Sequence, residues 1–171
     1  MLIIPRSEEF FICYDIFMSL YKFSPIMSEA TLIEAVHYVI DQEALLSSKA
    51  INQVLPITYL TIFAHYMDEY DNLVKIIERL GDISDANNGI KSKLHSPIMA
   101  GNQEIRELRV RKPDPYRMQV GCCDFGIADY NAFKDGHLEN NKNLRLIERP
   151  DYEMIEFFDP DLDVLAYIVN P

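Results

Sequence analysis

The sequence predicts an α+β protein, with an N-terminal layer of three to four helices packed on a C-terminal, mostly antiparallel sheet of about five strands. Three observations lead there. Residues 1–80 repeat apolar side chains at three- and four-residue spacing, and residues 104–171 alternate apolar and polar side chains with period two. A Gly/Asn/Ser-rich connector at 81–103 separates them. Helices followed by strands, without alternation, argue against a doubly wound parallel sheet. At 171 residues and 49% hydrophobic, the chain can fold the helical region 1–80, the connector loop 81–103 and the β region 104–171 as one domain.

The elements follow in order. Ser7 serves as an N-cap with Glu8 and Glu9 in the first turn, and Phe10, Phe11, Tyr14, Phe17, Met18 and Tyr21 form an apolar stripe that ends near Pro25. Ser28 caps a second helix, with Leu32, Val36, Val39 and Ile40 inward, running to about Ser47. Pro56 then starts a long helix over 57–80, with Leu60, Phe63, Met67, Tyr70, Leu73 and Ile77 on one face and Gly81 as its C-cap.

In the second half, Ile105–Arg111 and Tyr116–Phe125 flank Lys112-Pro113-Asp114-Pro115 and read as a hairpin. Leu108 and Val110 would be buried with Met118 and Val120. Leu144–Arg149 and Tyr152–Phe158 read as a second hairpin, and Val164–Val169, apolar on both faces, as a central strand. A helical turn is expected at Tyr130–Lys134. No internal repeat is visible in the residues.

Composition narrows the function. No apolar run approaches the roughly 20 residues that span a bilayer, and the short apolar start followed by Glu8-Glu9 is unlike a secretory leader. Three cysteines, Cys122 and Cys123 adjacent, point to reduced thiols and a cytoplasmic protein. The net charge of −11 opposes nucleic acid and anionic membrane as partners. Positive charge is concentrated in residues 91–117, which carry seven basic and three acidic side chains.

In the expected hairpin, Arg109, Arg111, Arg117 and Gln119 share one sheet face. Guanidinium forks suit carboxylate or phosphate, so these four are the binding candidates; the plainer reading is a solvated face balanced by nearby acids. His95 and Cys123 are secondary catalytic candidates, although no motif ties a base to either thiol. Glu34-x-x-His37 is half of a di-iron carboxylate pattern, and His37-x-x-x-Asp41 and His65-x-x-x-Glu69 each place imidazole and carboxylate one turn apart. His37, His65 and Glu69 are therefore secondary metal candidates, against ordinary solvated helix pairs. Asp159-x-Asp161-x-Asp163 lacks the later residues of a calcium loop and reads as a turn.

Cofactor fingerprints are absent and no cofactor is expected. The leading expectation is a cytoplasmic, non-enzymatic binding protein, self-associating or engaging an acidic partner through the arginine face. A small enzyme or ligand-binding protein holding an anionic small molecule under the 81–103 loop is the alternative, and an acidic inhibitor or nucleic-acid mimic is a further one.

Overall fold

The computed structural model describes residues 21–170, in which three α-helices cover one face of a single eight-stranded sheet. In chain order the elements are α1 (Glu29–Ile51), β1 (Ile57–Phe63), α2 (Met67–Leu80), β2 (Gly81–Asp85), β3 (Ile90–Ala100) and β4 (Gln103–Arg111). There follow β5 (Gly121–Phe125), α3 (Tyr130–His137), β6 (Leu144–Glu148), β7 (Glu153–Phe157) and β8 (Val164–Val169). The strand order is β2-β3-β4-β1-β5-β8-β7-β6. The pairs β1/β4 and β5/β8 are parallel and every other neighbour pair is antiparallel.

This overturns the expected architecture. The sheet is mixed, has eight strands instead of about five, and its helices alternate with strands instead of forming an N-terminal layer. The expected helix over 57–80 is a strand followed by a helix. Ile57-Thr58-Tyr59-Leu60-Thr61-Ile62-Phe63 is β-branched and aromatic, and β1 sits at the centre of the sheet with apolar side chains on both faces, which imitates a helical spacing over one turn. The connector at 81–103 forms β2, a tight turn and β3. The hairpin of 105–111 with 116–125 does not form, because β1 lies between β4 and β5. The helix expected from Ser7 falls on residues outside those described, as does Cys13.

Other signals hold. Ser28 caps α1 by accepting from Thr31 N, and the helical turn expected at Tyr130–Lys134 opens α3, which Asp129 caps by accepting from Ala132 N. The hairpin at 144–158 is present as β6/β7, and β8 lies inside the sheet between β5 and β7. Gly81 does not end α2 in a left-handed cap; it begins β2 in extended conformation. A Cβ at Gly81 would stand 2.2 Å from Lys93 O, so glycine is what lets β2 close on β3.

The connectivity contains an internal repeat that the residues do not betray. Residues 57–111 run strand, helix, two antiparallel strands, then a strand parallel to the first, and residues 121–169 run the same way. The strand order reads identically outward from the β1/β5 pair in both directions. The two units therefore meet at an approximate two-fold axis between β1 and β5, and α1 packs across this junction against β1, β5 and β8.

One apolar core lies between the helices and the covered face. It joins Leu32, Val36, Val39 and Leu46 of α1 with Leu73 and Ile77 of α2, Leu60, Leu108, Ile155 and Ile168 of the sheet, and Phe133 of α3. Each such side chain, fully buried, stabilises the fold by about 1.5–3 kcal/mol. Among the described residues no helix is long and apolar enough to cross a membrane.

Candidate functional site

On the face of the sheet that none of these three helices covers, strand register aligns two ranks of side chains. In the first, Lys91, Arg109, Thr61, Cys122 and Leu165 lie side by side on β3, β4, β1, β5 and β8. The second, two residues along each strand, runs Tyr59, Asp124, Tyr167, Glu156 and Arg145 on β1, β5, β8, β7 and β6. The same face therefore shows cations on the β3/β4 side, aromatic rings near the centre, and Asp124 beside the junction of the two repeats.

The cations are held in place by their own acids. Lys91 pairs with Glu107 at 2.5 Å, and Arg109 donates to Asp85 Oδ2 at 2.6 Å and to Asn87 O at 2.8 Å. Arg111 reaches Asp114 at 3.7 Å. Lys91 Nζ stands 4.5 Å from the Tyr59 ring centroid and the Arg109 guanidinium 5.6 Å from the same ring, while Arg111 lies 5.6 Å from the Phe63 ring. The Arg109 Nε is buried without a partner among the described residues.

Asp124 is the unusual group. Burial lifts its carboxyl from the ordinary 3.8 to about 6, against the opposing pull of Lys91 and Arg109. Cys122 and Tyr167, beside it on the face, stay neutral. Burial, with the nearby carboxyls of Asp124 and Glu43, pushes the Cys122 thiol far above its ordinary range, and burial with Cys122 and Glu156 does the same to the Tyr167 hydroxyl. Glu156, 1% exposed, accepts from Arg145 and from the Tyr167 hydroxyl.

The expected binding residues are partly united. Arg109 and Arg111 share this face on β4. Arg117 and Gln119 come from the loop between β4 and β5, not from a strand. Arg117 is near enough for its charge to oppose the rise at Tyr167. Gln119 instead lines a cavity of about 360 Å³ with Tyr38, Met118, Leu162, Asp161 and Asp163 at the end of the sheet.

The catalytic candidates are separated. Cys123 points into the core, 1% exposed, with its thiol held protonated by burial and by Glu43. It is Cys122 that reaches the other face. His95 sits on β3 beside Asp82 at 3.3 Å, with β4 and β1 between its strand and β5.

Nor do the metal candidates assemble. His37 is exposed on α1 and is remote in role from His65 and Glu69, which do meet. Glu69, fully buried, accepts from Ser24 Oγ and Ile26 N on one oxygen and from His65 N and Tyr66 N on the other. Ser24 Oγ also meets His65 Nδ1 at 2.7 Å, and because the serine proton goes to Glu69, Nδ1 is the protonated donor to Ser24. Burial lowers the His65 pKa, so the ring is neutral at pH 7. The pair is a clamp that ties residues 24–26 to the start of α2: both Glu69 oxygens and the His65 Nδ1 are in use, and the buried His65 Nε2 has no partner among the described residues. No group of three or more potential metal-ligating side chains converges among the described residues.

Lys91, Tyr59, Asp124 and Tyr167 were not singled out from the sequence. The signal for Asp124 was present: in Gly121-Cys122-Cys123-Asp124-Phe125 it is the one charged residue of an otherwise apolar strand, on the same face as Cys122.

Comparison with known proteins adds fold alone. No family model matches the chain, and no curated protein matches its sequence. A solved structure described as "Structural Genomics, Protein EC4020" is similar over 98% of this chain and 93% of its own, with a TM-score of 0.52 and 13% identity. The chain thus shares its overall architecture with that structure.

Proposed function

We propose that this chain is a cytoplasmic, non-enzymatic binding protein that engages an acidic partner surface, a second copy of itself included, through the cation-bearing face of its sheet. The observation that carries this is the segregation of the two faces. All three helices pack on one side, and the other side carries Lys91, Arg109 and Arg111 beside the half-buried ring of Tyr59, with Phe63 buried under Arg111 and Arg117 reaching in from the loop. Aromatic rings with adjacent arginines are the composition that dominates contact energetics at interfaces. The rest of the chain carries the excess acid that such a face would meet, at a net charge of −11.

Arg111 and Arg117 are the side chains free to act outward. The Arg111 ion pair is long, and Arg117 forms no ion pair among the described residues. The reading is tested with the double variant Arg111→Glu/Arg117→Glu. Sedimentation velocity across a concentration series, and titration with a hexaglutamate peptide, should both show binding by the wild type that weakens with salt. The double variant should lose it. A wild-type chain that stays monomeric and takes up no peptide overturns the reading.

A further inference from the structure

We infer that the cleft where β5 runs into α3 is a docking site for a short apolar peptide segment of a partner protein, the counterpart of the seat that residues 24–26 fill beside α2. The site lies apart from the cation-bearing face and does not depend on it. The two repeats make the same junction. β1 runs into α2 through residues 64–66, and β5 runs into α3 through residues 126–129. One backbone bond closes each strand end, Phe63 N to Val120 O at 3.0 Å and Gly126 N to Pro56 O at 2.9 Å. Tyr66 and Asp129 are the N-caps, and Glu69 and Ala132 are the third residues of their helices. His65 and Ala128 each precede the cap.

In the first repeat this junction seats a piece of the chain itself. Ile26, 1% exposed, donates its amide to Glu69 Oε1 at 2.8 Å and accepts at its carbonyl from Asn72 Nδ2 at 3.3 Å. Ser24 Oγ donates to the same Glu69 oxygen, and the Tyr21 ring stacks on His65 at 4.0 Å. In the second repeat the counterparts of His65 and Glu69 are alanines, and Ala128 and Ala132 border a cleft of about 450 Å³. Among the described residues its lining comes from 53–56 and 126–137 alone, so no segment corresponding to 24–26 enters it. Leu55, Pro56, Ile127 and Phe133 complete an apolar wall, and Leu55 and Phe133 are buried. That wall suits an aliphatic side chain in the place of Ile26. One polar anchor remains. Asp129 Oδ1 accepts from Ala132 N at 3.0 Å as the helix cap, and Oδ2 accepts no hydrogen bond among the described residues. It is the group that would take the backbone amide, as Glu69 does in the first repeat. The cleft therefore selects an aliphatic residue with a free amide N–H, which excludes proline at that position.

The test is titration of the full chain with the peptide acetyl-Ser-Ala-Ile-Met-Ser-amide, which carries the Ile26-Met27-Ser28 sequence, followed by amide chemical shifts. Saturable shifts are expected at residues 53–56 and 126–137, with β3 and β4 unmoved. The same peptide built with N-methylisoleucine has no amide donor at that residue and should bind about tenfold more weakly. Asp129→Asn keeps the cap but replaces the accepting oxygen with an NH₂ group, and should weaken the parent peptide about as much. Ala132→Phe, at an exposed position, fills the cleft from α3 and should abolish the shifts while the melting temperature stays near that of the wild type. Shifts at residues 64–72 would mean that the peptide displaces residues 24–26 from their own seat, and shifts that survive Ala132→Phe would place it elsewhere. Either outcome overturns the docking site, as does a full chain that takes up no peptide. Equal affinity for the N-methylated peptide overturns the role of Asp129. The proposed role of the cation-bearing face stands or falls separately, on hexaglutamate.

Discussion

The carboxyl of Glu43 lies against Cys123 in the core, fully buried, and neither of its oxygens finds a hydrogen-bond donor in good geometry. Burial raises its pKa well above the ordinary carboxylate range. A group whose folded pKa is raised adds to stability at low pH, and that contribution disappears as pH rises through the folded value. Glu43→Leu keeps the volume and removes the orphaned polar atoms. It should stabilise the fold by about 1–3 kcal/mol at pH 8 and by less at pH 5, read from urea denaturation midpoints. A variant less stable than wild type at both pH values would mean that the carboxyl has a partner.

Asp124 imposes a second pH dependence of the same sign. Its carboxyl moves from 3.8 to about 6 on folding, so its contribution is complete below about pH 4 and gone above about pH 6. Two units correspond to about 3 kcal/mol at most. The Asp124→Asn variant should show a flatter stability profile across pH 4 to 6 than the wild type, with the profiles diverging most at the upper end. Parallel profiles in thermal denaturation would refute the assignment.

The Ser24–Glu69–His65 clamp gives a third expectation. Glu69→Ala leaves Ser24 Oγ and the amides of Ile26, His65 and Tyr66 without their acceptor. Each buried donor left unpaired costs about 1–3 kcal/mol, so this substitution should be among the most damaging outside the apolar core. Ser24→Ala, which removes the hydroxyl's two hydrogen bonds to Glu69 and His65 but leaves the three amides their acceptor, should cost less, about 1–2 kcal/mol. Equal losses in the two variants would show that the carboxylate is not the hub.

How much of this was legible in the sequence depends on range. Local signals were readable: Ser28 as a cap, the β6/β7 hairpin around Pro150-Asp151, and the doubly apolar β8 all follow from a few consecutive residues. Long-range pairing was not. β1 reads as helix because a strand buried on both faces carries no alternation, and its lodging between β4 and β5 separates two segments whose own patterns fit a hairpin. The repeat of residues 57–111 in 121–169 lives in topology, since the two units differ in helix length, 14 residues against 8, and in sequence. The binding candidates on β4 were legible because alternation alone places Arg109 and Arg111 on one face. The partners of Arg109 are not, because Asp85 and the carbonyl of Asn87 sit in the β2–β3 turn, more than twenty residues earlier in the chain.

That turn separates the arginines by role, and stability measurements should show it. Arg109, with its side chain 18% exposed, holds Asn87 O and Asp85 together across the β2–β3 turn. Arg111 and Arg117 hold nothing comparable. Arg109→Ala should therefore cost about 1–2 kcal/mol, since hydrogen bonds to a charged group are worth about that much. It should also raise amide hydrogen exchange in residues 81–100 ahead of the rest of the sheet, because an edge hairpin opens without unfolding the core. The Arg111→Ala/Arg117→Ala double variant should stay within about 1 kcal/mol of wild type, as exposed pairs do. It should keep the exchange pattern of β2 and β3. If all three arginines prove equally dispensable to stability, the turn is held by its backbone pairing, and Arg109 is as free to meet a ligand as its neighbours.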